Sequence, residues 1–442
     1  MRTPSLLRGP GSANLPLYMT FADFITTTRR PSLGTEAVDN VLKAIREHLG
    51  MDVAFVSEFR ETDRVFWHVS ARDRTPIQPG DSAALQDGYC QRVVDGRLPE
   101  LIPDTKLIPA AVALPETAAT PIGAHLSVPV RLSDGRLFGT LCCFSFASNP
   151  SLGERDIGIL RAFASLLGAQ IERDFLESKS LVESRARITG ALRAGQPAIV
   201  YQPIYHLKTG RLAGLEGLSR FNLEPARPPN EWFAEAAEVG MGADLELAAI
   251  RTAIESLPRI PADAYLSVNC SPQTILDARL QNFLQGVDLQ RVVLEVTEHD
   301  YINDYPALLS VLTPLRALGL RVAIDDAGAG YASLRHVLNF QPEKIKLDIS
   351  LTKNLDADPK RRALASALIA FGREIHSHIV AEGVETAAEL ATLMRIGVDS
   401  AQGYFLARPM PLEEALAQSF PKINSAAGRG ATPETSPAKL RS

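Results

Sequence analysis

The sequence predicts an α/β chain in two folded parts, a C-terminal (β/α) barrel preceded by an α+β domain. Three observations carry this reading. The chain has 442 residues, too many for one ordinary small domain and natural for two. Its second half alternates short apolar, often β-branched runs with helix-like stretches, the pattern of parallel strands and their crossover helices. At or near the ends of those runs stand Glu216, Asn269, Glu295, Asp325, Asp326, Lys346, Glu382 and Gln402. Barrels of this kind build their active sites at the C-terminal ends of the strands.

Residues 1–18 are rich in Pro, Gly and Ser and are expected to be disordered, as is the tail 423–442. The first domain spans 19–173. A helix over 34–49 carries Val38, Val41, Leu42, Ile45 and Leu49 on one face. Strands follow at 53–59, 65–70, 125–131 and 138–146, the last two joined by a hairpin turn at Asp134-Gly135. A closing helix over 153–176 starts from a Ser151 cap with Glu154 three residues on. A helical linker, 174–193, extends it. Ile171, Phe175, Leu181, Ile188 and Leu192 are spaced loosely like a heptad seam, which suits a transmitting helix and a passive connector equally.

The barrel domain spans 194–422. After Tyr201-Gln202-Pro203-Ile204, strand runs fall at 213–215, 265–268, 292–294, 322–324, 345–347 and 379–381. Helices are expected around 232–239, 243–256, 305–318, 361–374 and 387–396.

Composition narrows the function classes. Apolar residues make up 45% and charged residues 22%, enough for sizeable cores. The net charge of -5 argues against a general nucleic-acid binder, so no DNA partner is expected. Cys90, Cys142, Cys143 and Cys270 show no C-x-x-C spacing, and the adjacent pair would point to opposite faces of a strand. Free thiols in a reducing, cytoplasmic setting are the plain reading. The first nineteen residues lack a sustained apolar core, so no signal peptide is expected. No apolar run approaches the ~20 residues that span a bilayer, and no membrane association is expected.

Hard oxygen donors with a lysine, and no His or Cys cluster among them, suit Mg²⁺ or Mn²⁺ acting on phosphate. Singly, each residue has a plain structural reading. Asp325-Asp326-Ala327-Gly328 is often a solvated turn, Asn269 a turn former, and Lys346 the polar side of a strand. As a set they are improbable as caps, because clustered anions repel unless cations sit among them. Glu216, Asn269, Glu295 and Asp325 can line one cation site. Asp326 and Glu382 can hold a second, with Asp325 bridging two ions ~3.5–4 Å apart. Lys346 would orient or help deprotonate an attacking water, and Gln402 would hydrogen-bond water or ligand. Arg220 could engage a phosphate oxygen.

Two resemblances follow. Leu126-Ser127-Val128-Pro129-Val130, Asp134-Gly135 and Phe138-Gly139-Thr140-Leu141-Cys142 resemble the central hairpin of a GAF domain. Such domains bind small ligands or chromophores, or mediate dimerisation. Nothing here identifies a ligand, so an unknown small molecule or none is expected. Cys90 and His125 read as a small core residue and a surface or core histidine rather than a chromophore anchor.

The second resemblance covers some 230 residues, in the family's order. Tyr201-Gln202-Pro203-Ile204, Glu216-Gly217-Leu218-Ser219-Arg220, Val268-Asn269-Cys270-Ser271 and Glu295-Val296-Thr297-Glu298 resemble the EAL family of cyclic-di-GMP phosphodiesterases. So do Asp325-Asp326-Ala327-Gly328-Ala329-Gly330-Tyr331, Lys346-Leu347-Asp348, Ala381-Glu382-Gly383-Val384-Glu385-Thr386, Gln402-Gly403-Tyr404 and Pro409.

The resemblance implies a modified TIM (β/α)8 barrel with one antiparallel strand. It implies Mg²⁺- or Mn²⁺-dependent hydrolysis of cyclic di-GMP to linear pGpG at a two-metal site, and a homodimer. By the same likeness Glu216, Asn269, Glu295 and Asp325 bind the first metal, and Asp326 and Glu382 serve the second. Lys346, Glu382, Gln402 and Glu298 form the catalytic set, Lys346 and Gln402 positioning the nucleophile and Glu298 anchoring the loop after Asp326. Gln202, Leu218, Arg220 and Pro409 contact the dinucleotide, and Asp348 and Glu385 support the ligands from behind.

The sequence departs from the pattern twice. Gly217 replaces the family's alanine, and Ala327, Ala329 and Ala332 stand where Phe, Thr and Ser are usual. That loop normally links metal binding to the dimer interface. A non-catalytic cyclic-di-GMP receptor is therefore the alternative. No Gly-Gly-Asp-Glu-Phe-type signature is visible, so synthesis of the nucleotide is not expected.

Overall fold

The structure, a computed structural model, describes residues 35–73, 75–297, 302, 304–327 and 332–421. The expected disordered ends and Glu298 lie outside the described residues, as do residues 328–331 of the departing loop. The chain divides into two compact units, Met1–Val182 and Glu183–Ser442.

In the first unit, helix Thr35–His48 leads into β1 (Val53–Phe59), β2 (Asp63–Ala71) and β3 (Ser82–Ala84). After two residues of β4 (Leu101–Ile102) come β5 (Ala124–Arg131) and β6 (Leu137–Ser145). They form one antiparallel sheet in the order β3-β2-β1-β6-β5-β4. Strand alternation splits the side chains between two cores. Ala54, Val56, Leu141 and Cys143 pack with Leu42, Ile45 and Leu160 of the flanking helices. Val53, Phe55, Cys142 and Phe144 pack with Tyr89 and Ile102. The adjacent cysteines thus lie on opposite faces, as their spacing requires.

Gly135 takes the left-handed conformation at φ 84° that closes the predicted hairpin. The expected Ser151 cap is corrected. Ser151 Oγ donates to Asn149 Oδ1, and Asp156 instead accepts the Gly153 N–H at 2.9 Å, so helix Glu154–Arg193 starts one residue later than the expected 153. The short elements between β3 and β5 escape a periodicity reading because none is long enough to show one.

The last turns of that helix belong to the second unit. Ile188 and Ala191 pack on Trp232, Ala236 and Leu245. Arg187 Nε and Arg227 Nη2 hold the buried Glu235 at 3.0 and 2.6 Å. Burial raises the Glu235 carboxyl, but hydrogen bonds from Arg187, Ser184 and Arg227 outweigh it and hold the group near about 2, below its ordinary 4.5. A depressed pKa stabilises the fold fully above pH 4.5 and loses that contribution as pH falls toward about 2. Glu235→Gln is expected to cost about 1–3 kcal/mol at neutral pH. Urea titrations of both proteins should show the gap closing on acidification; a gap independent of pH would refute this.

The barrel strands are β7 (Ala198–His206), β8 (Leu212–Arg220), β9 (Tyr265–Asn269), β10 (Val292–Thr297), β11 (Arg321–Ala327), β12 (Lys344–Leu347), β13 (His378–Ala381) and β14 (Ser400–Ala401). They close in sequence order, β14 pairing back to β7. β7 runs antiparallel to both neighbours and the other pairs are parallel. This is the modified barrel that the resemblance implies. Inside it, Ile204, Tyr265, Val293, Ala323 and Val380 form a buried apolar layer. Among the described residues no helix is long and apolar enough to cross a membrane.

Candidate active site

The period of two places the site. Two residues beyond Val293, Ala323 and Val380, and hence on the same inward side, stand Glu295, Asp325 and Glu382. An apolar floor thus carries an acidic layer. Glu216 enters the same layer from β8, in register with Ser267. Two glycines allow the chain to turn tightly after site residues. Gly383 has φ 61°, and a Cβ there would sit 2.3 Å from Ile349 Cγ1. At Gly403 a Cβ would lie 2.1 Å from the Val384 amide nitrogen.

Lys346 is the hub. Its ammonium is 2% exposed and lies 2.7 Å from Glu295 Oε2, 2.7 Å from Glu382 Oε1, 3.1 Å from Asp325 Oδ1 and 3.5 Å from Glu216 Oε1. Burial alone would lower its pKa, but these four carboxylates raise it well above the ordinary value. One ammonium cannot balance them all. Burial, reinforced by Glu216 and Asp325 against the pull of Lys346, pushes Glu295 up to about 8. Burial and the charges of Asp325 and Glu216 likewise raise Glu382 well above the carboxylate range, although Lys346 opposes the shift. Glu216 moves the other way: Lys346 and the Gln402 amide outweigh its burial. The cluster is short of positive charge.

Two triads share Asp325. Carboxylate oxygens of Glu216, Glu295 and Asp325 lie within 4.8 Å of one another, as do those of Asp325, Asp326 and Glu382. Asp326 adopts φ 55°, an uncommon left-handed value for a residue with a side chain, and its amide donates to Asp325 Oδ1 at 3.0 Å. Gln402 Nε2 donates to Glu216 Oε2 at 2.6 Å and Glu382 Oε1 at 2.9 Å. Its Oε1 is buried with no hydrogen-bond partner, an unsatisfied acceptor on the same amide that binds the two carboxylates. All-oxygen donors, excess negative charge and that orphan acceptor fit hard divalent cations.

The remaining candidates separate into groups. Asn269 ends β9 in register with Glu295. With Glu295, Leu218, Arg220 and Phe233 it lines a groove of about 420 Å³. Gln202 and Pro409 are not in that lining. The Gln202 amide donates to the Ala407 carbonyl at 3.0 Å, tying β7 to the segment that ends in Pro409. Asp348 caps helix Ile349–Thr352 by accepting from the Ser350 N–H, and the exposed Glu385 pairs with Lys353 at 3.2 Å.

Three participants escaped the sequence reading. Ser267 Oγ donates to Glu295 Oε1, Thr352 Oγ1 donates to the Glu382 carbonyl, and Glu246 lines the groove while accepting from the Ser271 N–H at 2.8 Å. Ser267 had a signal, lying two residues before Asn269 on the same face. Glu246 and Thr352 lie on helices and had none.

Comparison with known proteins bears on both units. The EAL domain family matches residues 185–409, and the GAF domain family matches 35–172. The bifunctional diguanylate cyclase/cyclic di-GMP phosphodiesterase MucR of Pseudomonas aeruginosa is 32% identical over 240 residues, 51% of this chain and 35% of that protein. The cyclic di-GMP phosphodiesterase NbdA of the same organism is 31% identical over 234 residues, 50% of this chain and 30% of that one. The chain thus spans about a third of the length of these curated relatives. The solved EAL enzyme Bd1971, in its form bound to cAMP and cyclic di-GMP, has a TM-score of 0.51 at 18% identity, covering 83% of this chain and 92% of that one. It shares the fold. With its eight-stranded barrel, its single antiparallel strand and a family match over half its length, the chain belongs to the EAL domain family and carries a GAF domain ahead of the barrel.

Proposed function

We propose that this chain acts in cyclic-di-GMP signalling as a phosphodiesterase, hydrolysing one phosphodiester of cyclic di-GMP to linear pGpG. The carrying observation is the pair of carboxylate triads sharing Asp325 around the buried Lys346. Glu216, Asn269, Glu295 and Asp325 would hold one cation of the Mg²⁺ or Mn²⁺ type, and Asp326 and Glu382, sharing Asp325, a second. Bound there, such ions supply the charge that activates water and offsets charge developing at phosphorus.

The chain's own groups do the rest. Lys346 directs its protons into the carboxylate layer, where a water can take one of those hydrogen bonds. The Gln402 carbonyl, lacking a partner, accepts from the same water and fixes its orientation. Arg220 at the groove wall offers its guanidinium to a phosphate oxygen. Leu218 lines the groove that would take the dinucleotide, and Gln202 and Pro409 would contact it from β7 and the segment after Ala407. The water oxygen bonds phosphorus, the P–O3′ bond breaks, and the released proton ends on the 3′-oxygen. Asp348 and Glu385 would support the ligand layer, and the role that the resemblance gives Glu298 falls outside the described residues.

The proposal extends to a cytoplasmic homodimer with a GAF domain at 19–173, a linker at 174–193 and the barrel domain at 194–422, the GAF domain modulating turnover. A receptor that binds without turnover is the second reading, favoured by the alanines at 327, 329 and 332. Purified protein incubated with cyclic di-GMP and Mg²⁺ or Mn²⁺ should release pGpG, and EDTA should stop it. Tight binding without product under both metals would replace the enzyme with the receptor.

A further inference from the structure

The second core of the GAF domain holds a reactive constellation that the reaction above does not use. Arg64, on β2, has a side chain only 3% exposed. Its Nη1 lies 2.6 Å from Cys90 Sγ, and its Nη2 pairs with Glu116 Oε1 at 2.5 Å. Cys90 Sγ lies 3.4 Å from Cys142 Sγ, and both residues are fully buried. Ser127 Oγ and Thr140 Oγ1 bond Cys142 Sγ at 3.1 and 3.2 Å. Cys90 sits on the short helix Tyr89–Val94, while Cys142 is fixed in β6 between two paired strands.

We propose that Cys90 and Cys142 are a redox pair, oxidised to a disulfide by small peroxides, with Arg64 activating Cys90. A thiolate is the attacking species, and a guanidinium at hydrogen-bond distance favours it. Burial raises both thiols. At Cys90 the hydrogen bond with Cys142 and the Arg64 charge outweigh burial and hold it near about 6, whereas Cys142 is pushed well up by burial and by its neighbour. The roles are thereby divided, Cys90 attacking and Cys142 resolving.

The chemistry balances. The Cys90 thiolate attacks one peroxide oxygen, an S–O bond forms, the O–O bond breaks, and the departing oxygen leaves as water or alcohol after taking a proton. Cys142 sulfur then attacks Cys90 sulfur, the S–O bond breaks, and water leaves with the Cys142 proton. Two electrons pass from the sulfurs to the peroxide. Closure needs the sulfurs to approach by about 1.4 Å to reach bonding distance. Cys143 faces the other core with its thiol pushed up to about 12 by burial, and Cys270 lies in the barrel unit.

The test uses the full chain, reduced, desalted and exposed to hydrogen peroxide, then alkylated and mapped by mass spectrometry. A Cys90–Cys142 cross-linked peptide is expected. Cys142→Ser should instead accumulate at Cys90 a sulfenic acid that dimedone captures when the oxidised protein is unfolded in its presence, and Arg64→Lys should slow cross-linking at least ~10-fold. Two alkylatable thiols at these positions after peroxide treatment of the folded wild type would overturn the proposal. So would dimedone labelling of Cys142 rather than Cys90 in the two single serine variants. The readout is independent of the barrel's reaction.

Discussion

Glu216→Ala is expected to abolish hydrolysis of cyclic di-GMP, by roughly 10³-fold or more, while leaving the barrel folded and no less stable. The two effects have one cause. Glu216 shares the Lys346 ammonium with Glu295, Asp325 and Glu382, and its charge helps push Glu295 and Glu382 upward. Removing it relieves repulsion in the cation-free protein and takes a donor from the first triad. In wild type, Mn²⁺ at a hundred times its Kd should stabilise the barrel by about 2.7 kcal/mol. In Glu216→Ala that increment should shrink sharply. Thermal melts with and without Mn²⁺, paired with chromatography of products, decide the matter. Wild-type-like turnover would sink the metal assignment. A large loss of stability in EDTA would show that the carboxylate serves the fold instead.

The opposite change has the opposite sign. Lys346→Met should destabilise the cation-free barrel by about 3–5 kcal/mol, the usual cost of stripping one partner from a buried ion cluster. The ammonium sits between four carboxylates, and methionine keeps much of the volume but none of the charge. Added Mn²⁺ should recover part of that loss, since cations replace the missing charge, yet turnover should stay abolished. Urea titrations in EDTA and in Mn²⁺ separate these outcomes. Equal stability of Lys346→Met and wild type in EDTA would mean that the carboxylates are protonated and need no counter-charge.

How much of this was readable in advance depends on the length scale of each feature. Glu295, Asp325 and Glu382 stand out because each follows a hydrophobic run whose alternation fixes the side it faces. The chain order of the barrel helices was legible for the same reason. β14 was not, because Ser400–Ala401 is too short to carry any periodicity and exists by pairing to β13 and β7. Glu216 was placed just beyond a three-residue run, yet it lies within the nine-residue β8, which the hairpin with β7 prolongs. The Arg64, Cys90 and Cys142 constellation was invisible. Its members lie on β2, a short helix and β6, and only the folded sheet brings them together. The plain reading of Cys90 as a small core residue and His125 as a surface or core histidine left open the burial of His125 and did not foresee the guanidinium beside the thiol.

The reversed direction of β7 has a mechanical corollary. Ala198, where β7 begins, pairs with Arg220 of the groove wall, whereas a barrel with every strand parallel would begin at the far floor. The Gln196 side chain accepts the Asn222 N–H at 3.1 Å immediately upstream. Ile188 and Leu192 pack with Phe221 and Trp232, and helix Pro229–Glu238 also contributes Phe233 to the groove wall. The last turns of the helix that precedes the barrel are therefore only two side-chain layers from the groove. An input carried by this helix would meet the mouth of the barrel without crossing its interior.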